Sequence, residues 1–225
     1  MRIFDTATDV VKQGGRRRGA NMGVLSIEHP DIIDFISAKG KENVLTNFNL
    51  SVAVTDKFMS AVEKGENHQL INPHNGRVVR ELSARSLFDL IVNMAWRVGD
   101  PGLLFIDEIN RHNPTPSIGD IEATNPCGEQ LLLPYESCNL GSINLMKIVE
   151  DGKLNWEKLK KLVHLGVHFL DNVIDANKFP LLRIEKVTKA NRKIGLGIMG
   201  FAEALIKMEI PYDSEEAISF AGKLM

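Results

Sequence analysis

The residues best suited to chemistry lie in Thr124-Asn125-Pro126-Cys127-Gly128-Glu129. A cysteine between Pro and Gly belongs at a loop tip, because Pro cannot continue a strand ladder and Gly permits tight backbone geometry. Asn125 and Glu129 stand two residues to either side, so an extended loop would project all three side chains to one side. A thiol there can do redox or radical work, a carboxylate can take a proton, and an amide can orient a hydroxyl. A structural cysteine buried in a turn is the plain alternative. Cys138 follows eleven positions later in Glu136-Ser137-Cys138-Asn139-Leu140-Gly141-Ser142. That spacing fits neither a CxxC metal site nor a thioredoxin-type pair. A second redox thiol and a packed core cysteine both remain open for it.

Three further patterns invite a functional reading. Gly14 to Asn21 offers backbone N–H groups and the guanidinium groups of Arg16, Arg17 and Arg18, which suit a phosphate or a nucleobase edge. No Walker lysine accompanies it, so it is not a P-loop, and a solvated basic turn is the alternative. Gly195-Leu-Gly197-Ile-Met-Gly200 matches GxGxxG, but its approach, Lys186 to Lys193, is polar. Too little chain follows it for the rest of a dinucleotide-binding half, so close packing at a strand-to-helix turn explains the glycines better. His164, His168, Asp171 and Asp175 share one helical face, yet Leu159, Leu162, Val163, Leu170 and Val173 mark the opposite face as core. The His/Asp face therefore reads as solvent-facing, and no metal site is assigned.

The elements that must position these groups follow from periodicity and capping. Arg2 to Lys12 reads as a helix with Phe4, Ala7, Val10 and Val11 on one face. A short strand at Val24 to Ile27 and a helix from Pro30 to Gly40 follow. Phe48 to Val54 alternates as a strand, and Thr55 or Asp56 caps a helix to about Lys64. Arg77 to Arg80 forms a short strand. Ser83 caps a helix to Val98 with Leu87, Leu90, Ile91, Met94 and Ala95 as its stripe. Gly102 to Ile106 reads as a buried strand ending at Asp107 and Glu108, and Arg111 to Asp120 as loop. Ile143 to Val149 is a short apolar stretch, Asn155 to Asn177 a long helix, and Ile194 to Gly200 leads into a helix from Phe201 to Met208. Ser214 caps a last helix carrying Ala217, Ile218, Ala221 and Leu224. Alternating strands and helices without repeats indicate an α/β architecture. Helical patterns at both ends suggest a domain entered and left partway.

Composition bounds the function. The chain has 225 residues, 44% of them hydrophobic and 25% charged, with 27 basic against 29 acidic side chains. No global basic field would hold a nucleic-acid backbone. No apolar run approaches the roughly 20 residues of a membrane span, and no signal-peptide zones open the chain. The expected setting is cytoplasmic, without nucleic-acid or membrane partners. Two cysteines are too few for a disulfide scaffold.

Taken together, these segments resemble the catalytic subunit of ribonucleotide reductases, most closely the adenosylcobalamin-dependent (class II) family. Asn125-Pro-Cys127-Gly-Glu129 is similar to that family's finger loop, and Glu-Ser-Cys138-Asn-Leu-Gly-Ser to its second-cysteine segment. Asn47-Phe-Asn-Leu-Ser-Val52, Gly99-Asp-Pro-Gly102 with Phe105 and Asp107, and Lys193 to Gly200 also read like family segments. The resemblance implies the central part, over residues 1–225, of a ten-stranded α/β barrel with a central finger loop, incomplete at both ends. It implies a Cys127 thiyl radical, Glu129 as base for the ribose 3′-hydroxyl, Asn125 as its hydrogen-bond partner, and Cys138 as one of two reducing thiols. Lys12, Gln13, Gly14, Gly15, Arg16, Arg17, Arg18 and Gly19 would form the loop that relays effector identity to the substrate base. Adenosylcobalamin would be the cofactor. The implied partners are a ribonucleotide substrate, deoxynucleotide or ATP effectors and a thioredoxin-like reductant; a homodimer is compatible. With no third cysteine, the isolated chain is expected not to turn over. A class I subunit using a partner-generated radical and a non-catalytic nucleotide-binding fragment remain the alternatives.

Overall fold

A computed structural model describes residues 1–11, 19–41 and 43–225. The chain divides into two compact units, Met1–Pro134 and Tyr135–Met225.

The first unit begins with α1 (Arg2–Val10), then β1 (Asn21–Ser26), α2 (Ile32–Ile36), β2 (Phe48–Val54), α3 (Asp56–Lys64), β3 (Asn67–Ile71) and β4 (Val78–Ser83). It continues through α4 (Ala84–Val98), β5 (Gly102–Phe105), α5 (Ile106–Arg111), β6 (Ala123–Thr124) and β7 (Leu131–Leu132). β1, β2 and β5 form a parallel sheet with β2 in the middle. Parallel neighbours need crossovers. α2 lies in the first, and the second holds α3, the β3–β4 hairpin and α4. Capping sets the helix starts: Thr55 Oγ1 accepts from Phe58 N at 3.1 Å, and Ser83 Oγ accepts from Ser86 N at 3.3 Å. Gly65 and Gly99, both left-handed, end α3 and α4, a conformation that glycine adopts without strain.

The core of this unit gathers Ile27, Ile32, Ile36, Val52, Val54, Phe58, Leu70, Leu87 and Ile91. Phe58 is fully buried, worth about 1.5–3 kcal/mol relative to exposure. The alternation expected for Phe48 to Val54 is absent, because every residue of β2 except Asn49 is buried. A central parallel strand is covered on both faces, so a polar-out pattern has no water to face. β5 departs the other way: Gly102 and Phe105 are exposed, and the chain turns helical at Ile106, where the strand was expected to run on. Here Asp107 and Glu108 occupy a helix's first turn, which favours acidic residues. β3 was not foreseen; its mixture of Asn, His and Gln carries little strand signal. In α1, Ile3, Phe4 and Val10 are exposed.

The second unit holds β8 (Asn139–Asn144), a 3₁₀ turn (Leu145–Ile148), β9 (Val149–Glu150), β10 (Lys153–Leu154), α6 (Trp156–Ala176), α7 (Leu182–Asn191), β11 (Ile194–Met199), α8 (Phe201–Lys207) and α9 (Glu215–Leu224). β8 and β11 pair in parallel, with α6 and α7 between them in the chain. Asn155 Oδ1 accepts from Lys158 N at 2.9 Å and Ser214 Oγ from Ala217 N at 3.1 Å, fixing the starts of α6 and α9. Leu145, Ile148, Val149, Leu154, Leu159 and Ala204 form the core. α7 was also missed, its polar sequence giving little amphipathic signal. Gly200, at φ 70°, would bring a Cβ within 2.8 Å of Asn144 Oδ1, and one on Gly166 would meet Leu196 at 3.1 Å. Of the GxGxxG glycines, close packing at the strand-to-helix turn is seen at Gly200; a Cβ on Gly197 would meet nothing nearer than 3.9 Å. Of the stripe expected on α6, Leu159 and Leu170 are buried along with Ile174, whereas Val163 is exposed. Ile218 of α9 is likewise exposed beside buried Ala217.

The architecture is thus mixed α/β. The described strands form parallel sets of three and two and three antiparallel pairs, and a closed ten-stranded barrel is not seen among the described residues.

Candidate active site

β6 and β7 pair as a short antiparallel hairpin, Ala123 opposite Leu132 and Thr124 opposite Leu131. The six residues between them curl rather than extend. Gly128 N donates to Asn125 O at 3.0 Å, and Asn125 N to Gln130 O at 3.1 Å. The Asn125 side chain closes the loop from within, its Oδ1 accepting from Gln130 N at 3.0 Å. Gly128 sits at φ 84°, the left-handed conformation that a tight turn demands of its glycine. Cys127 is therefore exposed at a loop tip, as its neighbours predicted.

The expectation that an extended backbone would project Asn125, Cys127 and Glu129 together is corrected. The turn gives Asn125 a backbone partner of its own, and Glu129 stands exposed. A short side-chain amide bonds its own loop more readily than it reaches outward.

Beside the loop lies a cavity of about 430 Å³, within the range typical of small-molecule sites. Asn49, Ser51, Asp100, Thr124, Pro126 and Cys127 are among its lining residues. The central strand β2 supplies its floor. A Cβ on Gly102 would approach Ser51 Oγ to 3.0 Å, so a larger residue there would have to displace the Ser51 hydroxyl. Asp100 is committed to holding this corner. Its Oδ1 accepts from Leu50 N at 2.9 Å, and its Oδ2 pairs with Lys39 Nζ at 2.6 Å. Lys39 also donates to Phe48 O at 2.7 Å. Asp107 Oδ2 caps α3 by accepting from Asp56 N at 2.8 Å. Arg111 bridges Asp56, at 2.5 Å, and Glu108. Hydrogen bonding to Arg111 holds the Glu108 carboxyl below its ordinary range, and the bond to Asp56 pushes the guanidinium further up.

In the second unit, Cys138 is half-buried at the entry to β8, its thiol donating to Asn139 O at 3.4 Å. The two residues before it are anchored. Glu136, its side chain wholly buried, pairs with Lys193 Nζ at 2.6 Å and accepts from Asn191 Nδ2 at 2.8 Å. Ser137 Oγ and Thr188 Oγ1 share a hydrogen bond of 2.7 Å. α7 and the start of β11 thereby fix Cys138. Neither cysteine forms a disulfide among the described residues.

On α6, His164 and His168 are exposed, while Asp171 and Asp175 are bound by Arg192 at 2.7 and 3.0 Å. Those contacts hold both carboxyls below their ordinary range. The face meets solvent, and its acidic pair serves packing against α7.

Of the proposed effector loop, Lys12, Gln13, Gly14, Gly15, Arg16, Arg17 and Arg18 lie outside the described residues. Gly19 is described; a Cβ there would come within 2.8 Å of Thr8 Cγ2. No helix among the described residues is long and apolar enough to cross a membrane. Sequence reasoning gave no role to Lys39, and none to Asn49 or Lys193 beyond their places in family-like segments. The one available signal was Asn49 itself, a polar residue in an apolar strand.

The model of the ribonucleotide reductase barrel domain matches residues 1–225. The vitamin B12-dependent ribonucleoside-diphosphate reductase of Thermoplasma acidophilum is 57% identical to this chain, covering 100% of it and 30% of that protein. The enzyme of the same name from Mycobacterium tuberculosis is 53% identical, covering 100% of this chain and 33% of that protein. A putative ribonucleoside-diphosphate reductase large subunit of Frog virus 3 is 38% identical over 99% of this chain and 41% of its own length. The chain spans about a third of the length of the first two relatives. With the family model matched from end to end, the chain belongs to the ribonucleotide reductase barrel-domain family.

Proposed function

We propose that this chain is the thiol-bearing part of a ribonucleotide reductase catalytic barrel, converting ribonucleotides to 2′-deoxyribonucleotides. The observation that carries the reading is Cys127, exposed at the tip of a tightly closed hairpin loop beside a nucleoside-sized cavity. The parallel strand sets would be portions of a ten-stranded barrel, with the β6–β7 hairpin as its finger loop.

In this reading the Cys127 thiyl radical takes the 3′-hydrogen of the ribose, and Glu129 takes the 3′-hydroxyl proton. The 2′-hydroxyl leaves as water. Cys138 and a second thiol, which this chain does not contain, supply two electrons and end as a disulfide. Cys127 then returns its hydrogen to the 3′-carbon, so ribonucleotide and dithiol become deoxyribonucleotide, disulfide and water. A thioredoxin-like reductant would restore the dithiol. Asn125 shapes the loop through Gln130 N, and its amide nitrogen is the part that would meet a ribose hydroxyl. Residues 12–19 would carry effector identity, from deoxynucleotides or ATP.

Adenosylcobalamin fits this thiol in one respect: Cys127 is exposed, and nothing lies within 4 Å of where a Gly128 side chain would stand. When bound, the cofactor would supply the radical that removes the thiol hydrogen. The relatives at 57% and 53% identity are named as B12-dependent, which supports this source over a partner-generated radical. The test is Cys127→Ser in the full-length enzyme. Deoxynucleotide formation should fall to background with adenosylcobalamin and dithiol present, and retained turnover would overturn the assignment.

A further inference from the structure

We propose that Asn49 is a positioning residue for the Cys127 loop. This rests on the radical role proposed for Cys127, and it adds a residue from a different part of the chain. Asn49 is the only exposed residue of β2. Its Nδ2 donates to Pro126 O at 2.6 Å, across 77 residues of sequence. Pro126 is covalently joined to Cys127, so the carbonyl that Asn49 holds belongs to the same peptide unit as the Cys127 nitrogen. The hairpin's internal bonds fix the loop's shape, and Asn110 holds the entry to β6 through Ile121 N and O at 2.8 and 3.0 Å. At the tip, next to Cys127, Asn49 ties the loop to the sheet.

Asn49 is itself well anchored. Its neighbour Leu50 donates to Asp100, and Asp100 is clamped by Lys39. Two residues upstream, buried Asn47 donates from its backbone N to Asp5 Oδ1 at 3.0 Å and from Nδ2 to Asp5 O at 3.1 Å. Asn47 O in turn accepts from Asn21 N at 2.6 Å. The entry to β2 is therefore bonded to α1, β1 and the Gly99–Gly102 turn, and Asn49 extends this fixed frame to the thiol loop. A hydrogen-atom transfer depends steeply on the gap it crosses. A misplacement of about 1 Å costs on the order of 100-fold in rate, so losing this tie should slow the chemical step while substrate affinity changes little.

The experiment uses the full-length enzyme. Asn49→Asp keeps the side-chain shape but replaces the donor with a carboxylate, and Asn49→Ala removes both. The expected result is a fall in kcat of about 10- to 100-fold with KM changed by less than about 3-fold. The deuterium isotope effect at the ribose 3′-position should rise as hydrogen transfer becomes rate-limiting, with the melting temperature little altered. Asn49→Gln, which keeps an amide donor, should recover part of the rate. Wild-type kcat and isotope effect in Asn49→Asp would overturn the proposal. So would a loss of kcat in Asn49→Ala that merely tracks the lost folded fraction. Cys127→Ser separates this from the underlying reading: if that variant stays active, the radical assignment fails first, whereas an inactive Cys127→Ser with a fully active Asn49→Asp removes only the role of Asn49.

Discussion

Lys193→Met tests whether the second cysteine is held by charge burial. Glu136 has no exposed side-chain surface and Lys193 only 18%, with 2.6 Å between them. Removing the ammonium leaves a buried carboxylate with Asn191 Nδ2 as a remaining donor. Breaking a buried pair costs about 3–5 kcal/mol, and the surviving amide bond argues for the lower end. The affected elements are the Cys138 segment with β8, α7 and β11, which these residues join. About 3 kcal/mol corresponds to roughly 100-fold in the local opening equilibrium. Amide hydrogen exchange resolved by peptide reads this directly, and peptides spanning 136–144 and 188–199 should exchange about 100-fold faster. Peptides of the β1–β2–β5 sheet should not change. The double variant Glu136→Met/Lys193→Met should recover most of the protection, since an apolar pair of similar volume replaces an ion pair at little cost. Exchange in the single variant within about 3-fold of wild type would refute the reasoning, as would equal losses in the single and double variants.

Two pH dependences follow from charge environments. His68 is buried against the edge of Phe58, at a centroid distance of 5.0 Å, and burial pushes its pKa below the ordinary 6.5, with Glu28 opposing and Lys57 assisting. The unfolded chain then binds the extra proton first, so stability falls as pH drops below about 6.5. His68→Phe should flatten that slope in thermal melts, and an unchanged slope would dismiss His68 as its source. Asp171 and Asp175 are held below their ordinary 3.8 by Arg192. Their contribution is present above that value and lost as pH falls through the depressed range. The stability gap between wild type and Arg192→Gln should therefore be steady near neutrality and narrow below about pH 3.8; a gap that persists in acid would refute the ion pairing.

Much of the local structure was legible in the sequence. Ser83 and Ser214 cap the helices assigned to them, and of Thr55 and Asp56 it is Thr55 that caps; Asn155, read as the first residue of its helix, also caps it, because a cap needs only a side-chain oxygen and an amide three residues on. The exposure of Cys127 was legible for the same reason, Pro126 and Gly128 acting on their own backbone. β3 and α7 were not, since polar segments become strand or helix through what they pack against. The fate of Asn125 was misread because its options, bonding its own loop or reaching outward, differ by a fold of the backbone that residue spacing does not report.

The sequence by itself determined the starts of α3, α4, α6 and α9, the glycine turns, the α/β alternation and the loop-tip cysteine, all governed by interactions across a few residues. Only the tertiary structure decided that β2 is covered on both faces, that Asp100 is a clamp, that Glu136 is buried with Lys193, and that Asn49 reaches Pro126. Those contacts join segments tens of residues apart. Which surface covers a strand, and which partner meets a buried charge, depends on how elements stack in space, and no local period carries that information.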